Sequence, residues 1–274
     1  MQKIFLNGKS EKEIAELFDN IKEKYDRDIF GQGYLFRIIS EDEIANVDEL
    51  TGDEKKNGID NSKPHYVPYD KGDRDGNRWY LETPFVIDWS KEAVKILQTD
   101  PKARWQGYDF FFKEGFCWTN VLNPHAKLIK CRLKAKTIND VGSMSLCTAN
   151  NKIPNYYLVS IINSIMLFDY YRQFVNNSVN VQINDLRQLP IIIPSENQLC
   201  EFKDLFDEAV KVKKLQFSNQ ITKEEAVKKL NLIQEQLDKM VYKLYGLTEE
   251  KIKIIEVSIK DKNGNKNSFC NREN

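Results

Sequence analysis

The sequence predicts an α+β protein: a mixed, mainly antiparallel β region followed by a C-terminal helical hairpin. Three observations predict it. Short alternating runs bounded by Gly, Pro, Asp and Asn recur between residues 61 and 194, which is the period of half-buried strands. After Pro194 the period becomes helical, with Leu199, Phe202, Leu205, Phe206 and Ala209 along one face. Ala226, Leu230, Ile233, Leu237, Met240 and Leu244 then follow at spacings of 4, 3, 4, 3 and 4, a heptad seam that buries its stripe against another helix. The expected organisation is an N-terminal helix and acidic loop over 1–60, a β domain over 61–194, a helical region over 195–257 and a disordered polar tail over 258–274.

In chain order, Ser10 and Glu13 form a capping box that opens a helix over 11–25. The acidic stretch 41–60 reads mostly as loop. Tyr66, Val67, Pro68 and Tyr69 lead into a polar turn over 70–77, where Gly and Asp tolerate the backbone angles of a reversal. Residues 85–89 read as a strand, and Ser90 caps a short helix over 91–98. Phe110–Phe112 and the run Phe116, Cys117, Trp118 flank Lys113, Glu114 and Gly115 as a hairpin. Residues 128–136 and 141–147 read as strands. Asn155 caps a helix running to about 174, and Val179, Val181 and Ile183 alternate with polar residues as a further strand. Pro190 and Pro194 hold 189–194 extended. Ser195 and Gln198 make a second capping box, Gly246 suits a left-handed cap, and Thr248 opens a last short helix.

The stretch 128–136 carries the charge signal. Ile129, Cys131, Leu133 and Ala135 fall on one face of the strand, and Lys130, Arg132, Lys134 and Lys136 on the other. The chain balances 41 acidic against 41 basic residues, yet Asp140 is the only acid between Gly115 and Phe168. A local cationic ribbon on a neutral protein fits a partner with regularly spaced negative charge, such as nucleic-acid phosphate. The competing reading is a solvated edge strand kept soluble by lysine.

With 274 residues, 41% of them hydrophobic and 11% aromatic, the chain can form a packed core. It holds no run of about 20 apolar residues, so no membrane span is expected. The start lacks the apolar stretch of a signal peptide, and five scattered cysteines with two histidines make no disulfide or zinc pattern. A reducing cytoplasm is the expected compartment. No Gly-rich strand-to-helix turn for S-adenosylmethionine is present, and Asn123-Pro124-His125-Ala126 lacks the second Pro and the aromatic of an adenine-holding loop. Asp70, Asp73 and Asp75 are interleaved with Lys71 and Arg74, which suits a solvated turn better than a nuclease metal site. No catalytic residue, metal or cofactor is assigned to this chain.

Five stretches in order resemble a known family. Trp79-Tyr80 through Val86-Ile87-Asp88-Trp89, after Lys71-Gly72, resembles its Arg-Trp-Tyr…Val-Asn-Trp segment. Lys113-Glu114-Gly115-Phe116-Cys117-Trp118 is similar to its Lys-Glu-Gly strand pair, and Tyr157-Leu158 through Asn163-Ser164 to its Tyr-Leu…Asn-Ser helix. Val181 through Leu189-Pro190 resembles its exit strand, and Val241 through Gly246 to Glu250 its closing helix and cap. The family is the TaqI-like C-terminal specificity domain of type II restriction-modification enzymes, shared with BREX-type phage-defence adenine methyltransferases.

The resemblance covers about 60–257 and implies a target recognition domain that reads duplex DNA while a catalytic partner flips and methylates adenine. The family's preceding catalytic domain has no counterpart in this sequence, so S-adenosylmethionine would bind a methyltransferase domain or subunit elsewhere. The expected DNA contacts are Lys113, Lys127, Lys130, Arg132, Lys134 and Lys136 on phosphates, with Lys71, Arg74 and Arg78 reaching a groove unless Arg78 stacks on Trp79. The helices after Pro194 pack as a hairpin and would also dock the catalytic partner or pair two copies. The alternatives are a half-size type I specificity subunit, a helical-hairpin interaction protein without DNA binding, and a nuclease with an unrecognised site.

Overall fold

The computed structural model describes residues 12, 13, 16, 39–70, 73, 77–82, 85–100, 105, 107–123, 126–140, 142–150 and 152–261. The helix expected over 11–25 therefore lies largely outside the described residues, as do Lys71, Arg74 and most of the tail. Two three-stranded sheets lie among the described residues. The first has the order β2-β1-β5, built from β1 (Tyr66–Asp70), β2 (Val86–Asp88) and β5 (Ile138–Asn139). The second has the order β4-β3-β6, from β3 (Gly115–Thr119), β4 (Cys131–Lys134) and β6 (Ser143–Leu146). All pairs are antiparallel except β1 with β5. The helices are α1 (Gly52–Asn57), α2 (Lys91–Thr99), α3 (Asn155–Ile162), α4 (Ile165–Tyr170), α5 (Ile183–Leu186), α6 (Glu196–Phe217), α7 (Lys223–Leu244) and α8 (Glu249–Asp261). The molecule is α+β, with a long C-terminal hairpin of α6 on α7.

Each sheet serves its own core. The first packs Val67, Trp89, Val94, Phe112 and Ile138 together. The second turns Phe116, Trp118 and Cys131 toward the helices, where they join a cluster running from Trp79 through Tyr157, Leu167 and Phe206 to Leu237 and Ile259. That cluster runs continuously across position 194. Gly115 permits the close approach inside the second sheet, because a Cβ there would sit 2.3 Å from the Leu146 carbonyl oxygen. The heptad seam is buried at Ala226, Leu230, Ile233 and Leu237. Ser195 and Thr222 cap α6 and α7 with full capping boxes, because their oxygens accept the backbone N–H groups that the first turn leaves unpaired.

Within 41–60, Thr51 caps the short helix α1 through a capping box, and the rest is mostly non-helical, as expected. Three local expectations are corrected. The triple Phe is not a hairpin arm, since Tyr108–Phe110 forms a 3-10 turn and β3 pairs with β4 and β6 instead. The run at 179–183 makes only a bridge between Val121 and Asn180 before α5 begins. Finally, the helix expected from Asn155 to 174 breaks after Ile162. The Asn163 side chain turns to the strand, where its Oδ1 accepts from the Cys131 N–H and its Nδ2 donates to the Cys131 carbonyl, both at 2.8 Å. Ser164 then caps α4, and a π turn over Tyr171–Val175 ends the segment.

Leu237 is fully buried in the seam. Leu237→Asp places an unpaired charge there and should cost at least about 4 kcal/mol of unfolding free energy. Urea denaturation checks this, and a parental midpoint would show that the seam opens to water.

Candidate nucleic-acid interface

The cationic strand does not present its charges as the alternation suggests. Arg132 and Lys134 are buried at 1% and 4% exposure, whereas Leu133 is 37% exposed. The alternation separates two faces, but burial does not follow polarity: Arg132 and Lys134 are covered while Leu133 and Ala135 are exposed. The register sets Arg132 opposite Cys117, and Ser145 opposite the same residue, so these side chains share one face of the sheet. The end of β1 lies against that face. Arg132 donates through Nη2 to Asp70 Oδ1 at 2.5 Å, and Ser143 Oγ donates to the same oxygen at 3.0 Å. Cys117 Sγ donates to Asp70 Oδ2 at 3.6 Å, and burial pushes that thiol up to about 12. Lys134 Nζ donates to the carbonyls of Lys113, Thr137 and Ala135 at 2.6, 2.9 and 3.2 Å, which satisfies its three donors. Burial lowers its pKa to about 8.

Nor is β4 an open edge. The Trp79 N–H donates to the Cys131 carbonyl at 3.0 Å and the Leu133 N–H to the Trp79 carbonyl at 3.2 Å. Trp79 holds this position at a positive φ of 70°, uncommon for a bulky residue, with its ring buried beside Phe206.

The turn 70–78 is likewise tied down at its described residues. Asp73 is fully buried, its Oδ2 accepting from Asn77 N at 2.7 Å and Nδ2 at 2.8 Å. Lys213 of α6 donates to Asn77 Oδ1 at 2.7 Å. Arg78, expected to reach a groove, points inward. Its Nη1 donates to Gln234 Oε1 of α7, its guanidinium sits 6.0 Å from the Trp79 ring, and burial lowers its pKa to about 10. Gln234 donates in turn to Asp238 Oδ2 at 2.9 Å, and Asp238 Oδ1 accepts from the Ile165 N–H at 2.8 Å. This chain of contacts fastens the sheet to the helical hairpin. Burial raises Asp238 to about 6, despite the opposing hydrogen bonds from Gln234 and Ile165 and the nearby Arg78 charge.

Of the remaining expected contacts, Lys113, Lys127 and Lys130 are exposed, with the Lys113 ammonium 5.5 Å from the Phe110 ring. Lys136 is half-buried and paired with Asp48. Arg132 and Lys134 are thus taken up by buried partners within the fold, and half-buried Arg78 is turned toward α7 rather than outward. Lys71 and Arg74 lie outside the described residues.

A feature that no sequence motif marks lies next to Phe110, the ring beside Lys113. A cleft of about 790 Å³ opens between the first sheet, β6, Trp105 and α5. Trp105, Phe110, Asn139, Gln182, Asn184 and Arg187 are among its lining residues. Trp105 stacks at 15° on Trp89 at 5.7 Å and on Tyr108 at 5.9 Å, so the ring continues an aromatic tier from the core outward. Arg187 Nη1 donates to Asn184 Oδ1 at 3.2 Å, and Gln182 Nε2 donates to Asn120 Oδ1 at 3.1 Å. The signal in the sequence was the aromatic density at 105–112 and the amide run at 180–184. Of these, Phe110–Phe112 and 179–183 read as strand by pattern, and Trp105 falls in no element. Among the described residues no group of three or more His, Cys, Asp or Glu could hold a metal, and no helix is long and apolar enough to cross a membrane.

Two variants test the buried polar layer. Asp70→Ala leaves Arg132 unpaired and should cost about 3–5 kcal/mol in chemical denaturation, far more than replacing both partners with Leu and Met. Asp238 is raised in the fold, so its carboxylate favours the unfolded chain: stability is greatest with the group protonated and falls as pH rises from about 4 to about 6. Relative to Asp238→Asn, the parent should lose on the order of 3 kcal/mol across that window. Parallel pH profiles for the two proteins would show that Asp238 titrates normally.

No protein-family model matches the sequence, and no curated protein matches it. Among solved structures the chain is similar to the type IIL restriction-modification enzyme MmeI, whose structure is in complex with DNA. The TM-score is 0.39 and the identity 12%, over 56% of this chain and 22% of that one. The present chain thus spans less than a quarter of that enzyme's length.

Proposed function

We propose that this chain is a DNA sequence-recognition module of a restriction-modification or phage-defence adenine methyltransferase, with catalysis and S-adenosylmethionine supplied by a partner domain or subunit. One observation carries the reading: the five stretches of the family resemblance, distant in sequence, interlock. Trp79 binds β4 through its backbone, and Asn163 binds the same strand from the helical side. Trp118 of β3 donates through Nε1 to the Val181 carbonyl at 3.0 Å. Tyr245, next to Gly246, donates to the Pro190 carbonyl. Trp89 anchors the core of the first sheet.

Within this reading Lys113, Lys127 and Lys130 position phosphates, and Lys71 and Arg74 of the turn reach a groove. A second reading, a half-size specificity subunit pairing through its helices, draws on Ile254 and Val257. These stand three residues apart on α8 and are 68% and 51% exposed. Concentration-dependent dimerisation in sedimentation, lost in Ile254→Ser, would favour it.

Duplex binding across a salt series tests the first reading. Combining Lys113→Ala, Lys127→Ala and Lys130→Ala should lower the slope of log affinity against log salt by about 0.9 for each lysine that contacts a phosphate. Arg132→Met should cost stability and leave that slope unchanged. Absence of any salt-dependent duplex binding would overturn the recognition reading in favour of a helical interaction protein. Calorimetry should give no S-adenosylmethionine site in the isolated chain.

A further inference from the structure

The C-terminal end of α6 carries positive charge that the fold does not consume. Between Glu208 and Glu224 the sequence holds Lys211, Lys213, Lys214 and Lys223 and no acid, on a chain with 41 acidic and 41 basic residues. Lys213 is taken up inside: its Nζ donates to Asn77 Oδ1 at 2.7 Å and to Gln216 Oε1 at 2.9 Å. Lys211 and Lys214, three residues apart, are exposed on one side of the helix. Neither forms an ion pair with a described residue. Both line an open hollow of about 470 Å³, with Ser218 and Gln220 beside them. The one acid of its lining, Asp207, is already bound by Lys203. The dipole of α6 favours a cation in the last turn, which accounts for Lys214. Lys211, a turn earlier, has no such role.

The position of the pair matters as much as its charge. Lys214 Nζ stands 5.3 Å from the Tyr80 ring, and that ring packs edge-on against Phe217 at 6.2 Å. The segment 77–80 thus lies against the end of α6, tied through Asn77 at one end and Tyr80 at the other. Its backbone is bridged to β4 where Trp79 meets Arg132, two residues along from exposed Lys130. The segment therefore joins the neighbourhood of Lys130 to that of Lys211 and Lys214, and it continues the turn that holds Lys71 and Arg74. We propose that Lys211 and Lys214 contact phosphates of the same duplex, so that the helical hairpin carries part of the DNA interface. The inference rests on the recognition reading and deepens it, extending the phosphate track past the turn and onto α6. No ion pair has to break for these lysines to take an anion, and each phosphate they neutralise releases condensed counterions. Contact with Tyr80 also holds Lys214 in place beforehand, which reduces the ordering cost of binding.

The experiment measures duplex binding by the full chain across a salt series and follows lysine acylation by mass spectrometry. Lys211→Ala with Lys214→Ala should lower the slope of log affinity against log salt by about 1.8, the loss of two phosphate contacts. Lys211→Arg with Lys214→Arg should keep the slope. The control pair Lys239→Ala with Lys243→Ala, exposed at the C-terminal end of α7, should leave it unchanged. In the parent, saturating duplex should protect Lys211 and Lys214 from acylation and leave Lys239 and Lys243 reactive. All four side chains are exposed, so thermal melting of each variant should be parental. An unchanged slope in the α6 pair, or acylation there that the duplex does not slow, would overturn the inference and assign these lysines to water or to an acidic protein partner. The recognition reading would still stand if the slope responds to replacement of Lys113, Lys127 and Lys130. Equal slope losses in the α6 and control pairs would show only an effect of net charge and would also overturn the inference. Absence of salt-dependent duplex binding in the parent would remove both readings.

Discussion

The pairing of Arg132 with Asp70 is the constraint on which the β architecture depends. It joins the exposed-looking face of the second sheet to the end of β1, with Ser143 and Cys117 completing the coordination of the same carboxylate. A buried pair of this kind seldom adds much stability over an apolar substitute, because desolvation offsets most of the attraction. Its effect is on arrangement. A one-residue slip of β4 would turn Arg132 into the apolar cluster of Trp118 and Tyr157 and leave Asp70 facing a hydrocarbon side chain. The register of the strand and the stacking of the two sheets are thus fixed by the same contact.

The same principle recurs at the junction with the helices. Asn77 with Lys213, Arg78 with Gln234, and Asp238 with the Ile165 N–H each satisfy a polar group that would otherwise be buried unpaired. The sheet and hairpin consequently share one continuous apolar cluster and one polar seam. Asp70, Asp73, Asn77 and Arg78, the described residues of the turn 70–78, are each tied into this polar network.

What the sequence disclosed follows from what periodicity can report. The capping box at Ser195, the seam through Leu237 and the α+β class are written in local patterns, and these are found as expected. The alternation over 128–136 is equally real, yet periodicity distinguishes two faces without saying what covers them. Arg132 and Lys134 look solvated until Asp70, 62 residues earlier for Arg132, is brought against them. The helix break at Asn163 escaped notice for a related reason, since its cause is the backbone of Cys131, 32 residues away. The cleft gathers Trp105, Asn139 and Asn184 from segments with no shared motif. The family resemblance falls instead on Trp79, Trp118, Asn163 and Tyr245, which build the frame.

The two buried cysteines lie on adjacent strands and face opposite layers. Cys117 donates to Asp70 on the inter-sheet side, whereas Cys131 sits in the helical cluster, and burial raises both thiols above their ordinary pKa. Neither forms a thiolate while the layers stay closed, so neither reacts with an alkylating reagent in the folded protein. Each becomes a clock for the parting of one layer: Cys117 for separation of the sheets, Cys131 for lifting of the helices. Exposed Cys200 on α6 provides the fast reference on the same chain. Residue-resolved alkylation rates would therefore time the two openings independently, without introducing a label or a mutation.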